Sequence, residues 1–311
     1  MYKLPGEKVV EFTGSFQAVD SLHTVNGFVV ESFDKHNKYH FVEMDGEAGF
    51  TRKDDVTGIQ SHSEYINDAT LFLNALRSRA VKKSVFARVK KVPFKGNPRQ
   101  LFYMLCESYP NAFVYLASSP LFGCWIGASP ELLLESLNGQ IRTVALAGTK
   151  SVDSDDKWND KEVEEQECVQ TFIRESLKDL GINSYDEESR KEITAGPVKH
   201  LVSSFSFSST CEPIEIAERL HPTPAVSGLP RNEALELIKE YETIDRSLYA
   251  GFLGISNEDK CQLFVNLRCA QLSEDAAFLY VGGGFTKDSK VEEEWIETEN
   301  KALTLQRIIE N

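Results

Sequence analysis

The pattern of apolar and polar positions divides the chain into strands and amphipathic helices. Alternating or continuous apolar runs predict strands, and apolar residues every three to four positions predict helices. The predicted strands are 83–89, 112–117, 122–126, 131–136, 140–147, 249–255, 261–272 and 277–281, and the predicted helices are 63–79, 98–109, 157–180, 232–241 and 290–309. Several short strands are also expected within residues 1–75. Because strands and helices do not alternate strictly, the pattern predicts an α+β layered fold with no doubly wound sheet.

Several residues mark the ends of these elements. Asn138-Gly139 is a strong hairpin signal between two predicted strands. Gly181 is expected just after the third helix, Asn232 is expected to cap the fourth, and Ser289 with Glu292 has capping-box spacing before the last. Polar turns join the last three predicted strands, so we expect these strands to form a three-stranded meander.

Composition and charge argue against several classes of function. The 311 residues carry 34 basic and 48 acidic side chains, a net charge of −14 that disfavours nucleic-acid and anionic-membrane partners. No apolar run is long enough to predict a membrane span, and the first residues do not resemble a signal segment. The six cysteines form no C-x-x-C pair, so we expect reduced thiols and a cytoplasmic protein.

One carboxylate continues an apolar helix stripe. Counting four residues back from Val169 along the stripe of the third helix leads to Glu165. The stripe can simply reach solvent at this end of the helix, where acids also suit the helix dipole. Alternatively, Glu165 is a metal ligand, since an unpaired buried charge is very costly.

The last helix repeats this feature. Glu294, Glu297 and Lys301 share a face that becomes apolar at Leu305. An exposed Glu–Lys pair is one interpretation. The other is that both acids, together with Glu165, hold a divalent cation such as Mg²⁺.

Further candidates carry positive charge or backbone donors. Arg268, flanked by apolar residues, is either a carboxylate clamp or an outward-facing strand residue. Lys83 opens an apolar strand, and its ammonium could simply reach solvent. The glycines at 282–284 could bring backbone N–H groups to an anion or form a flexible turn. His200 and His221 are the histidines that we single out. Together these residues suggest a cation-assisted site for an anionic small molecule.

Ordered motifs give the chain a resemblance to a known family. It resembles the chorismate-utilising enzymes, which include isochorismate, salicylate, anthranilate and aminodeoxychorismate synthases. The matching segments are KSVFAR (83–88), GASPELLL (127–134), TVALAGTK (143–150), KEVEEQECV (161–169), VKHLVSSF (198–205), HPTPAVSGLP (221–230), ETIDRSLYAGFLG (242–254), FVNLR (264–268) and GGGFTKDSKVEEEWIETENK (282–301). They cover residues 80–305. The resemblance implies one chorismate-binding domain over 1–311, with a shortened part at 1–80 and antiparallel sheets packed among helices around a central cleft.

The resemblance also implies roles for individual residues. Mg²⁺ would be bound by Glu165 and Glu297, with Glu294 in support. Lys83 would be the general base, with a lowered pKa, and Glu131 the general acid, with a raised pKa. The residues implied to bind or line the substrate are Arg268, Lys301, Gly148, His200, Tyr249, Gly282 and Gly284, with Ala225 in a supporting position.

The nucleophile distinguishes members of this family. Water-using members carry a lysine where this chain has Lys83, whereas anthranilate synthases usually carry glutamine. The nucleophilic lysine of aminodeoxychorismate synthases is absent beside Gly148, and Ala225 stands where anthranilate synthases typically have threonine. We therefore expect an isochorismate synthase that acts on chorismate. Menaquinone synthesis is the expected pathway, because it is the most frequent one for such enzymes. The protein is expected to be a monomer without a glutaminase subunit. Salicylate synthase, an anthranilate synthase large subunit and a non-catalytic anion-binding module are the alternatives. Gln166 and Val163 depart from the family's usual histidine and arginine.

Overall fold

A computed structural model describes the chain except for residues 24, 47–48, 54–55, 153–156, 159, 196–197 and 311. The helices of the described residues are α1 (His62–Ser78), α2 (Pro98–Ser108), α3 (Asp160–Asp179), α4 (Pro213–Leu220), α5 (Arg231–Tyr241) and α6 (Val291–Ile309). The strands are β1 (Tyr2–Lys3), β2 (Val9–Val10), β3 (Gly14–Ala18), β4 (Gly27–Glu31), β5 (Lys38–Glu43), β6 (Lys83–Pro93), β7 (Phe113–Ser119), β8 (Gly123–Ser129), β9 (Leu132–Leu137), β10 (Gln140–Ser151), β11 (Asp186–Glu187), β12 (Lys191–Ala195), β13 (Val198–Ser208), β14 (Gly228–Leu229), β15 (Phe252–Ser256), β16 (Lys260–Val265), β17 (Cys269–Leu272) and β18 (Ala276–Thr286).

The strands form two antiparallel sheets. One has the order β14-β6-β18-β17-β8-β7-β1-β2, and the other has the order β11-β13-β10-β9-β16-β15-β4-β5-β3, with β12 also paired to β13. Residues of both sheets share the largest apolar cluster, in which the ring of Phe113 in β7 stacks on that of Phe264 in β16 at 4.5 Å. Helices α1, α2, α5 and α6 cover the outer face of the first sheet, and α3 packs against β10 of the second. This arrangement confirms the predicted α+β layered fold.

Two neighbouring segments cross from one sheet to the other. Pro130-Glu131 leads from β8 to β9, and residues 266–268 lead from β16 to β17. The crossings are bonded together, because Ala128 N–H donates to the Arg268 carbonyl at 3.1 Å and Val265 N–H donates to the Glu131 carbonyl at 3.0 Å. Glu131 and Arg268 are therefore held side by side where the sheets meet.

The second crossing corrects two predictions. The single strand predicted at 261–272 is two strands in different sheets, so the predicted three-stranded meander is wrong. The extended conformation is interrupted at Arg268, whose φ is +49°. The sequence pattern missed this break because the strands on both sides, β16 and β17, are largely buried and apolar, which preserves the alternation.

The glycine run is not a turn. Residues 282–284 lie inside β18, where Gly282 pairs with Ala87 and Gly284 with Val85 of β6. Their absent side chains matter, because a Cβ on Gly282 would lie 3.0 Å from the Tyr249 hydroxyl and one on Gly284 would lie 2.8 Å from Lys83 Cε. A Cβ on Gly283 would instead lie 2.8 Å from Glu294 Oε2, on the opposite face of the strand.

The predicted helices are present, but two predicted caps are wrong. Helix α5 follows Pro230 as its N-cap, so Asn232 is inside the helix. Helix α6 follows Lys290, and no side chain caps it. The Ser289 hydroxyl donates to Glu294 Oε1 at 2.7 Å and accepts from Thr286 N–H, so it serves the loop before the helix.

Two compositional predictions can be compared with the structure. All six cysteines are free thiols, as expected, and four of them are buried. Among the described residues, no helix is long and apolar enough to cross a membrane.

Candidate active site

Lys83 lies at the start of β6, with only 9% of its surface exposed. Its ammonium forms an ion pair with Glu165 on α3. Burial lowers the pKa of Lys83, but the charges of Glu165 and Glu297 more than offset burial, and the pKa is raised. Without a cation the pKa of Lys83 is therefore raised, because two carboxylates stabilise the ammonium form. The expected lowering applies to the chain with Mg²⁺ bound, and it stays a prediction.

Glu165 is held in place by its neighbour in α3. The Gln166 side chain is fully buried, donates to Ser203 Oγ at 3.2 Å and accepts from Arg190 Nε at 2.6 Å. Gln166 thus ties α3 to β13 of the second sheet, and Glu165 turns toward Lys83 of the first. The contribution of Arg190 was missed, because no spacing in the sequence relates it to α3.

Glu297, on α6, lies near Lys83 and Glu165. Lys301 Nζ contacts Glu297 Oε1 at 2.6 Å and donates to the Gly282 carbonyl at 2.8 Å. Lys301 lowers the pKa of Glu297, whereas burial and the charge of Glu165 raise it, and the net direction is downward. The two carboxylates, on separate helices, are therefore close enough to act on each other.

The donor set at this position fits a hard cation. Glu165 and Glu297 supply carboxylate oxygens, and their side chains keep 31% and 48% exposure, so water can complete a coordination shell. Mg²⁺ is usually bound by one or two carboxylates plus waters and substrate oxygens. Within the described ranges no group of three or more His, Cys, Asp or Glu side chains could hold a metal.

Glu294 does not join this pair. Its side chain is buried on the helix-covered face of β18, where Oε1 accepts from Ser289 and Oε2 lies against Gly283. The predicted set of two acids from the last helix is therefore corrected to Glu297 alone. Residues three apart share a helical face, but Glu294 packs against Gly283, whereas Glu297 lies with Lys301 and near Glu165.

Glu131, where the chain crosses between the sheets, is also buried, with 8% of its surface exposed. Burial raises the pKa of Glu131 to about 7, although the charges of Lys83, Arg268 and Lys301 lower it. Burial also lowers the pKa of the Arg268 guanidinium, which Tyr249 and Glu131 counteract. Arg268 is half-buried, and its charge acts on both Glu131 and His200, so it faces the site and the outward-facing alternative is wrong.

The remaining predicted residues divide into two groups. His200 Nδ1 lies 3.0 Å from the carbonyl of Gly148, which has φ +71° at a bulge in β10. Burial lowers the pKa of His200, and Arg268 and Lys301 add to this, so His200 belongs to the same site. Tyr249 is also buried there, against Gly282.

Two candidates lie elsewhere or contribute little. His221 packs against the rings of Phe33 and Phe252, and burial lowers its pKa to about 3, so it is a core residue. Ala225 is half-buried in the loop between α4 and β14, and its methyl group offers no hydrogen bond.

Sequence reasoning missed an ion pair beside the site. Glu242 and Arg246 are buried and contact each other next to β6. Their spacing of four residues was the available signal, but the segment is not helical and the pattern gave no reason to expect burial.

Comparisons with known proteins place the chain among enzymes of one family. Isochorismate synthase EntC of Escherichia coli K12 is 31% identical over 196 residues, covering 59% of this chain and 50% of that protein. Isochorismate synthase MenF of Haemophilus influenzae is 31% identical over 221 residues, covering 63% of this chain and 51% of the relative. Anthranilate synthase component 1 of Aquifex aeolicus is 27% identical over 278 residues, covering 85% and 54%. The chain spans about half the length of these relatives.

Solved structures share the fold. The menaquinone-specific isochorismate synthase MenF of Escherichia coli has a TM-score of 0.81 at 20% identity, covering 99% of this chain and 87% of the other. The isochorismate synthase DhbC of Bacillus anthracis, described as putative and 2,3-dihydroxybenzoate-specific, has a TM-score of 0.76 at 26% identity, covering 91% and 84%. The family model described as "Chorismate binding enzyme" matches residues 28–310. The family model, which matches most of the chain, and the shared fold show that the chain belongs to the chorismate-binding enzyme family.

Proposed function

We propose that the chain is an Mg²⁺-dependent isochorismate synthase. It would add water to C2 of chorismate with loss of the C4 hydroxyl. The observation that carries the proposal is the grouping of buried Lys83 and Glu131, the latter with a pKa of about 7, with Arg268 and Lys301. A basic group, an acidic group and two anion-binding cations are what this isomerisation requires.

The chain's residues have complementary tasks in this proposal. Lys83 in its neutral form accepts a proton from the attacking water. Glu131 in its protonated form donates to the departing hydroxyl, and a pKa of about 7 keeps much of it protonated near neutral pH. Arg268 and Lys301 hold the carboxylates of the substrate. A positioned acid or base typically contributes about 10²–10⁴-fold to the rate.

Glu165 and Glu297 are the residues that would hold the cation. Bound there, Mg²⁺ would supply Lewis-acid chemistry by neutralising a substrate carboxylate. If Glu165 and Glu297 held a cation, their charges would favour the ammonium form of Lys83 less. Burial would then lower the pKa of Lys83, as its role as a base requires.

An ammonia-using anthranilate synthase is the second candidate. The Aquifex aeolicus relative favours it, because that match covers 85% of the chain. Lys83 favours water as the nucleophile, and the EntC and MenF relatives favour isochorismate as the product. MenF among these relatives also supports menaquinone synthesis as the destination of the product.

The test is an assay with chorismate and Mg²⁺, with and without ammonium. We expect isochorismate, separated from chorismate by chromatography because the two are isomers, and no dependence on ammonium. Fluorescent anthranilate formed only with ammonium would overturn the proposal in favour of the second candidate. Fluorescent salicylate would show that pyruvate is also eliminated. No consumption of chorismate with Mg²⁺ would contradict all of these activities.

A further inference from the structure

The strand that carries Lys83 is paired only in part along its outer edge. Strand β14 pairs with β6 at Lys83 and Ser84 and then ends. Beyond that point, Ala87 N–H donates to Glu242 Oε1 at 2.7 Å, and Arg246 Nη2 donates to the Val85 carbonyl at 3.0 Å. Two side chains thus occupy the place of a neighbouring strand.

These two side chains form a buried ion pair. Their exposed fractions are 4% for Arg246 and 3% for Glu242. Arg246 donates through Nε to Glu242 Oε2 at 2.8 Å and through Nη2 to Oε1 at 2.5 Å. The guanidinium also lies 4.1 Å from the centre of the Phe33 ring. Desolvating both charges is costly unless their hydrogen bonds are satisfied, and here the bonds extend to the backbone of other segments.

The same pair also contacts two further segments of the chain. Arg246 Nη1 donates to the carbonyl of Val226, the residue after Ala225, at 2.8 Å. The backbone carbonyl of Arg246 accepts from Tyr249 N–H at 2.7 Å, and its guanidinium lies 6.0 Å from the Tyr249 ring. The pair therefore connects β6, the loop before β14 and the turn that carries Tyr249.

We propose that Glu242 and Arg246 are positioning residues, which fix the strand of Lys83 relative to Tyr249 without touching substrate. The inference that this affects turnover rests on the proposed function. The anchoring of β6 does not, because it follows from hydrogen bonds to Val85 and Ala87 alone.

The experiment compares Arg246→Lys and Glu242→Gln with the unchanged chain. Lysine keeps the positive charge. Its single ammonium group cannot donate to the Glu242 carboxylate, the Val85 carbonyl and the Val226 carbonyl at once, as the guanidinium of Arg246 does. Glutamine keeps an oxygen that can accept from Ala87 N–H, so it is the conservative variant. Hydrogen–deuterium exchange of the peptide 83–93 measures anchoring, and kcat and KM for chorismate measure its consequence.

A matched control separates positioning from general destabilisation. Leu105→Ala creates a cavity in α2, which carries none of the site residues. We expect Arg246→Lys to exchange at least 10-fold faster in the peptide 83–93 and to lose at least 10-fold in kcat, with KM within 3-fold. Glu242→Gln should show a smaller increase in exchange and a smaller loss of kcat. Leu105→Ala should change neither quantity once the folded fraction is taken into account.

Distinct results would overturn the two parts. Unchanged exchange in the peptide 83–93 of Arg246→Lys, or equal acceleration in Leu105→Ala, would refute the anchoring of β6 by the pair. Faster exchange with wild-type kcat would refute the effect on turnover. If the unchanged chain does not convert chorismate, the proposed function fails, whereas the exchange comparison still decides whether the pair anchors the strand.

Discussion

Replacing Glu131 by glutamine should remove turnover and at the same time make the protein more stable at alkaline pH. Burial raises the pKa of Glu131 from 4.5 to about 7. The folded state therefore holds this proton more tightly than the unfolded state does. Its stabilising effect is fully present below pH 4.5 and is lost as the pH rises through about 7.

The magnitude follows from the shift. A change from 4.5 to about 7, at 1.36 kcal/mol per pKa unit, corresponds to about 3 kcal/mol. Glutamine has a similar shape and does not ionise. The free energy of unfolding of Glu131→Gln relative to the unchanged chain should therefore increase by about 3 kcal/mol between acidic and alkaline pH.

The assay is urea unfolding of both proteins at pH 5 and pH 8, with EDTA present. Taking the difference between the two proteins at each pH cancels the titration of the other groups. A difference that stays constant within about 1 kcal/mol across this range would refute the raised pKa. Near-normal turnover of Glu131→Gln with chorismate would refute its role as the general acid.

The remaining predictions concern the other residues of the site. Lys83→Ala should lose at least about 10²-fold in kcat while keeping its circular dichroism spectrum, and near-wild-type turnover would exclude its role as the base. The acid form of Glu131 should make kcat of the unchanged chain fall as the pH rises above about 7, and a pH–rate profile that is flat from 6 to 9 would contradict this. Glu165→Gln and Glu297→Gln should each raise the Mg²⁺ concentration needed for half-maximal rate by at least about 10-fold, whereas Glu294→Gln should raise it less, since Glu294 lies on the other face of β18. Equal Mg²⁺ titrations for all three variants would contradict the assignment.

Local patterns predicted five of the six helices in the described residues and missed α4 (Pro213–Leu220). They predicted the path of the chain between the sheets poorly. Helices α1 and α2 have clear periodicity and side-chain caps at Ser61 and Asn97, and their observed bounds differ little from the predicted ones. The break at Arg268 left no trace, because apolar alternation depends on burial and both neighbouring strands are buried.

The site was predictable as a set of residue types but not as an arrangement. Helical spacing placed Glu294 with Glu297, but in the folded chain Glu294 packs against Gly283 and Glu297 pairs with Lys301. The contact between Lys83 and Glu165 joins residues 82 positions apart, which no local pattern encodes. The same is true of Arg246, whose partners on β6 are distant in sequence.

The most direct test of the central claim is anomalous diffraction from crystals grown with Mn²⁺ in place of Mg²⁺. The proposal predicts one peak between the carboxylates of Glu165 and Glu297, with Lys83 no longer paired to Glu165. A peak bound by other residues, or an intact Lys83–Glu165 ion pair beside a bound metal, would contradict it.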